Sequence, residues 1–207
     1  MDDDLDQCMN PHGEEGRRTI EEMNRGHVPQ ITWGIENLPD IKPRRILDVG
    51  CGGGIFTRLI LERYPEAEGD ALDISELSVE YARGFNADLI SSGRLTVILG
   101  NVMDMPYDEG SFDLVVSNAS HFFWPDIRKG LSEICRTLKD GGVLCLTAGM
   151  HLDHRPSEEE MKELEGITNI LTDKELTALM DEAGMDSSYA VNPNDTFCAY
   201  IGRKRPQ

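Results

Sequence analysis

Residues Ile46-Leu47-Asp48-Val49 run directly into Gly50-Cys51-Gly52-Gly53-Gly54, an apolar stretch that ends in four glycines within five residues. The pattern reads as a short buried strand, a tight turn and the start of a helix. Glycine takes positive φ without a Cβ penalty and lets the backbone approach a bound molecule closely. A turn this dense in glycine is a ligand-holding turn, and the first question is which nucleotide-like ligand it suits.

The dinucleotide pattern G-x-G-x-x-G fails in both registers, because its third glycine would fall on Ile55 or on Thr57. What fits is D-x-G-x-G-x-G, with Asp48, Gly50, Cys51, Gly52 and Gly54 in place. In this the chain resembles the class I methyltransferases, which bind S-adenosylmethionine. A carboxylate at the end of the strand suits the amino group and sulfonium of that cofactor, whereas it would repel a pyrophosphate.

Further along, strands are expected at Ile46 to Val49, Ala71–Leu72, Leu95 to Leu99, Leu114 to Ser117 and Val143 to Ala148. Helices between them are marked by Phe56, Leu59, Ile60 and Arg63, by Leu77, Tyr81 and Phe85, and by Ile127, Leu131, Ile134 and Leu138, the last closed by Gly141 and Gly142. Thr172 and Glu175 form a capping box for a helix carrying Leu176, Leu179, Met180 and Ala183, with Gly184 as its stop. Strands near Ser188 to Val191 and Thr196 to Gly202 are joined by a turn too short for a parallel crossover, so they pair antiparallel. The expected fold is α/β: a doubly wound, mostly parallel, Rossmann-like sheet of seven strands with an antiparallel C-terminal strand. Residues 1–13, rich in aspartate, read as a flexible acidic leader; residues 14–40 read as an N-terminal helical arm, with helices meeting near Gly26 and Pro29; residues 41–207 read as the cofactor-binding domain. The resemblance implies that the arm serves as a lid.

In an open α/β sheet the ligand lies across the carboxyl ends of the strands. The resemblance therefore assigns the cofactor to the glycine turn, to Asp73 with Ile74 after the second strand, to Asn101, Val102 and Met103 after the third, and to Ser117 after the fourth. Asp73 would accept from the ribose hydroxyls. Asn101 stands where many relatives have aspartate, and its side-chain carbonyl would accept from the adenine amino group while Met103 offers a backbone donor. Ser117 would offer its backbone carbonyl to the cofactor's ammonium. His121 is either a general base beside the methyl group or a helix-start histidine bonded to backbone, and His27 is a second catalytic candidate. Phe122 and Trp124, with Trp33 and His151, are candidates for a substrate pocket, core filling being the other fate open to the aromatics.

Five scattered cysteines without a C-x-x-C pair argue against a disulfide framework and a zinc site, so no metal is expected. A net charge of -18 opposes binding to phosphates, so neither nucleic acid nor an anionic membrane is an expected partner. No apolar run is long enough to span a bilayer, and the chain is expected to be cytoplasmic, as a monomer or homodimer. The resemblance implies transfer of a methyl group from S-adenosylmethionine to a small-molecule acceptor by in-line displacement, with S-adenosylhomocysteine as product. A cofactor-binding regulatory or partner protein without turnover, or a methyltransferase acting on a protein, is the alternative.

Overall fold

A computed structural model describes residues 7–154, 156–157, 164 and 166–206. Two helices, α1 (Gly13–Gly26) and α2 (Val28–Glu36), precede strand β1 (Arg45–Val49). There follow α3 (Ile55–Arg63), β2 (Glu68–Asp73), α4 (Glu76–Phe85), α5 (Ala87–Ser91), β3 (Leu95–Leu99) and β4 (Phe112–Asn118). A 3-10 turn (Ser120–Phe123), α6 (Ile127–Thr137), β5 (Leu138–Ala148), α7 (Asp173–Glu182), β6 (Met185–Val191) and β7 (Cys198–Lys204) complete the order. The sheet has the order β3-β2-β1-β4-β5-β7-β6. β1 to β5 are parallel, and β7 runs antiparallel to both β5 and β6, as the short turn at Asn192–Asp195 required.

Side-chain alternation along the strands feeds two cores. Leu47, Val49, Leu72, Val115, Leu144 and Leu146 pack with Trp124, Leu131 and Ile134 of the α6 side and Leu176 and Met180 of α7. Ile46, Ala71, Leu114, Val116, Val143 and Cys145 pack with Ile31 of α2, Phe56 and Ile60 of α3 and Val79 and Ala82 of α4. Helices thus cover both faces, so the buried positions of the central strands are mostly apolar, with Asp48, Asp73, Ser117 and Thr147 as buried polar exceptions towards their carboxyl ends. The order of strands reverses between β1 and β4, and that switch point opens the crevice at the carboxyl ends.

Three local readings of the sequence differ from the structure. Leu138, placed on a helix by its spacing from Leu131 and Ile134, has extended backbone (φ -71°, ψ 139°) and opens β5 opposite Phe112. The strand therefore includes Gly141, at φ 73°, where the ladder to β4 shifts register. The buried face of α4 is Ser78, Val79 and Ala82, while Phe85 is 40% exposed. Small residues are needed there because α4 crosses close to the glycine turn, with Ala82 Cβ 3.1 Å from where a Cβ on Gly54 would stand. Of the expected flexible leader, residues 1–6 lie outside the described residues. Gln7 is buried with its Oε1 accepting from the His12 N–H at 2.9 Å, and the Pro11 carbonyl accepts from Ser75 Oγ at 3.4 Å.

Among the described residues no helix is long and apolar enough to cross a membrane.

Candidate functional site

The glycine turn is built by hydrogen bonds that draw the ends of β1 and β2 together. The N–H groups of Gly50 and Cys51 both donate to the Leu72 carbonyl, at 2.9 and 3.0 Å. Gly50, Gly52 and Gly54 adopt φ of 67°, 50° and 80°, a region that disfavours side chains. A Cβ on Gly52 would meet nothing within 4 Å, so this part of the turn faces open space. Gly53, by contrast, is pressed against α1: a Cβ there would lie 2.4 Å from Asn24 Oδ1, and Asn24 Nδ2 donates to the Gly53 carbonyl at 3.1 Å.

Two carboxylates flank the turn. Asp73 Oδ2 accepts from the Gly52 N–H at 2.8 Å and Oδ1 from the Ser75 N–H at 2.9 Å, leaving a lone pair on each oxygen for a further donor. Burial raises its pKa, and the backbone donors partly offset that. Asp48 is 1% exposed; Oδ2 accepts from Thr57 Oγ1 at 2.5 Å, while Oδ1 is buried with no protein partner. Burial, reinforced by Asp73, pushes its pKa to about 7. A cation placed beside this pair would reverse that shift.

Around these groups lies a cavity of about 540 Å³, within the range of small-molecule sites. Asp48, Gly50, Cys51, Gly52, Asp73, Ile74, Asn101 and Val102 all line it, so the residues expected from β1, β2 and most of those after β3 meet in one place. Ile74 is 63% exposed, an apolar platform at the rim. The Cys51 thiol is raised well above its ordinary pKa by burial and by the two aspartates, so it packs rather than reacts. Gly54 caps α3 and does not line the cavity.

The loop after β3 is held by Glu133 and Arg136 of α6. Glu133 Oε1 accepts from the Met105 N–H at 3.0 Å, and Arg136 donates to the Tyr107 carbonyl at 2.8 Å while pairing with Glu133 at 2.7 Å. Within the loop the Met103 N–H donates to Asn101 Oδ1 at 2.9 Å. This corrects the role expected of Met103, since its backbone donor is used inside the loop and the residue does not line the cavity. Asn101 keeps its second lone pair.

On the β4 side the wall begins one residue later than expected. Ser117 is fully buried and its Oγ donates to the Val49 carbonyl at 2.7 Å, joining β4 to β1; the lining residues are Asn118, Ala119 and Ser120. Ala119 has φ 56° and turns the chain sharply, setting Ser120 Cβ 2.5 Å from where a Cβ on Gly50 would be. Phe122, Phe123, Trp124 and Pro125 continue this wall in aromatic and apolar surface.

His121 corrects the general-base expectation. It is 2% exposed, packs against Phe122, Trp124 and Tyr200, and lines a separate small cavity with His151 and Asn169. Burial lowers its pKa to about 4 and Nδ1 has no partner, so it is a neutral core ring. His151 also lies off the main cavity, between Asp173 Oδ2 and Asp195 Oδ1 at 3.1 Å each, with Tyr200 Oη donating to Asp173 Oδ1 at 2.6 Å. Trp33 belongs to the sheet side: its Nε1 donates to the Ala190 carbonyl of β6 at 2.9 Å. His27, on the other hand, lines the cavity together with Met23, Asn24 and Ile31 of the arm and Cys8 to Pro11 before it. Its Nδ1 lies 2.9 Å from Asn118 Nδ2. Asn118, Asn24 and Gln30 were missed from the sequence, and the only available signal was that Asn118 ends the fourth strand.

Residues 46–142 match the family described as Methyltransferase domain. Ajmaline N-methyltransferase of Rauvolfia serpentina is 32% identical over 124 residues, covering 60% of this chain and 42% of that enzyme. Among solved structures, an O-methyltransferase family protein from Burkholderia thailandensis superposes with a TM-score of 0.80 at 18% identity, over 94% of this chain and 61% of the other. Geranyl diphosphate C-methyltransferase from Streptomyces coelicolor, solved with S-adenosyl-L-homocysteine, gives 0.73 at 16% identity, over 97% and 89%. The fold is that of the class I methyltransferases, and residues 46–142 are similar to their methyltransferase domain family. The chain spans between 30% and 47% of the length of the curated relatives it matches.

Proposed function

We propose that the chain transfers a methyl group from S-adenosylmethionine to a small, uncharged or cationic acceptor. The observation that carries this reading is the buried, unpartnered Asp48 oxygen beside Asp73 at a glycine turn open to the cavity. The residues present fit the cofactor. Asp73 offers two lone pairs for ribose hydroxyls, Ile74 and Val102 offer apolar surface for a base, and Asp48 and Asp73 supply negative charge for an ammonium and a sulfonium. When bound, this cofactor supplies an electrophilic methyl carbon whose bond to sulfur breaks as the bond to the acceptor's nucleophile forms, leaving a neutral thioether.

The protein's part is alignment and exclusion of water. Cys8 to Pro11, Met23, Asn24 and His27 form one side of the cavity and the aromatic wall after β4 the other, so the arm covers the cofactor and narrows the acceptor's approach. His121, buried in its own cavity, is not placed to take a proton from the nucleophile. Among the described residues no lysine or arginine lines the main cavity. A phosphorylated or otherwise polyanionic acceptor would lack a counter-charge there, which selects an uncharged or cationic one.

Calorimetry and a transfer assay test this. S-adenosylmethionine and S-adenosylhomocysteine should bind, and label from the methyl-labelled donor should pass into the neutral or cationic fraction of a metabolite extract separated by charge. Heat with nicotinamide dinucleotides alone would overturn the cofactor, binding without transfer would leave a cofactor-binding protein, and label in phosphorylated compounds would overturn the acceptor class.

A further inference from the structure

We propose that Asn118 holds His27 as a neutral imidazole that donates its Nε2–H into the cavity, so that His27 receives an electron-rich oxygen or nitrogen of the acceptor and removes no proton from it. The inference rests on the cavity being the methyl-transfer site.

Three contacts meet on the Asn118 amide at the end of β4. Its Oδ1 accepts from Thr147 Oγ1 at 2.8 Å and from Gln30 Nε2 at 2.5 Å, while Nδ2 faces His27 Nδ1 at 2.9 Å. An oxygen already engaged by two donors leaves the NH₂ end for the imidazole, and a ring nitrogen that accepts carries no proton. The single proton of the neutral ring is then on Nε2. Burial lowers the His27 pKa, which keeps the ring neutral.

Gln30 of α2 is 7% exposed and Thr147 of β5 is fully buried, so the amide is gripped from two elements and is not free to turn. A histidine that works as a base through Nε2 needs the opposite second partner, one that accepts from Nδ1–H and leaves Nε2 bare. Here an amide donor stands in that place. The same cavity is lined by apolar Ile31, Phe122 and Trp124 as well as by polar groups such as Asn24 and Ser120, and in such a site a fixed donor orients an acceptor atom. The acceptor class that follows has a nucleophile already free of its proton at neutral pH, or losing it to water, rather than a hydroxyl activated by this histidine.

The test is long-range proton–nitrogen NMR on the full chain with S-adenosylhomocysteine added, His27 being identified by the signals lost in His27→Gln. The expected spectrum shows unprotonated Nδ1 and protonated Nε2 in the wild type, and the reverse in Asn118→Asp, whose carboxylate can only accept. Nδ1–H, or an imidazolium, in the wild type at neutral pH overturns the proposal, and this spectrum decides even if Asn118→Asp does not fold. Calorimetry on the same sample keeps the two readings apart: heat of binding with Nδ1–H sinks the donor role alone, whereas no heat with Nε2–H sinks the methyl-transfer reading and leaves of the inference only the His27 tautomer.

Discussion

On the β1–β2 side of the switch point the cavity wall consists of backbone and two carboxylates, whereas on the β4–β5 side it consists of side chains that bond mainly to one another. Asp73 and Asp48 are fixed by the turn that carries them, through Gly52, Ser75 and Thr57. Asn118, His27, Gln30 and Thr147 come from four places and define one another. The first wall is suited to a constant ligand, because its donors and acceptors are set by backbone geometry. The second can be rewritten residue by residue without disturbing the sheet, which is how one fold serves many acceptors.

Breaking the first wall should cost the most. Asp73→Ala removes the acceptor of two backbone donors and of the expected ribose contacts; charged hydrogen bonds contribute about 1.5–3 kcal/mol each, so affinity for S-adenosylhomocysteine should fall by more than about 100-fold. Calorimetry measures this, and an affinity within tenfold of wild type would remove Asp73 from the site.

Asp48 in the first wall and His121 behind the second should also answer pH with opposite slopes. Asp48 has its pKa raised from 3.8 to about 7, so the folded state holds the proton more tightly than the unfolded chain and stability falls as pH rises from about 4 to 7. The full effect is on the order of 4 kcal/mol. His121 has its pKa lowered from 6.5 to about 4, so its contribution is complete above 6.5 and is lost as pH falls towards 4, on the order of 3 kcal/mol. In denaturant unfolding across pH, Asp48→Asn should flatten the first slope and His121→Phe the second. Unchanged curves in either variant would remove the corresponding group from the account.

A smaller effect separates the walls from the region behind them. Tyr200→Phe deletes the donor to the buried Asp173 Oδ1, costing about 1–2 kcal/mol of stability. Because this cluster lies around the small cavity of His121 and His151, affinity for S-adenosylhomocysteine should stay within a few-fold of wild type. A large loss of affinity would join the two cavities into one functional unit.

The same contrast explains what was legible in the sequence. Asp48, the glycines and Asp73 could be read because their roles depend on neighbours within one strand–turn unit. Asn118 could not, since its partners Thr147, Gln30 and His27 lie 29, 88 and 91 positions away. His121 and Ser117 were placed by proximity to the fourth strand's end, but the αL turn at Ala119 directs the chain so that Ser120 and Phe122 face the cavity and His121 faces away. Leu138 was ambiguous for a different reason: an apolar residue at the right spacing fits both the end of an amphipathic helix and the start of a buried strand.

Trp33 gives the finest test of where the cavity ends. Its aromatic ring and its place in the arm made it a pocket candidate, yet its Nε1–H is committed to the Ala190 carbonyl on β6, next to the strand that pairs with β5. Trp33→Phe keeps an aromatic ring and deletes only that donor, so the cost should be about 1 kcal/mol, or roughly 2–4 °C in Tm for a chain of this size. The affinity for cofactor and the rate of transfer should be unchanged, because α2 is also anchored by Ile31 and by Gly34, which packs so closely on Thr147 that a Cβ would lie 2.2 Å from Cγ2. A change in KM for the acceptor without a change in Tm would instead put Trp33 in the acceptor's path and extend the second wall as far as β6.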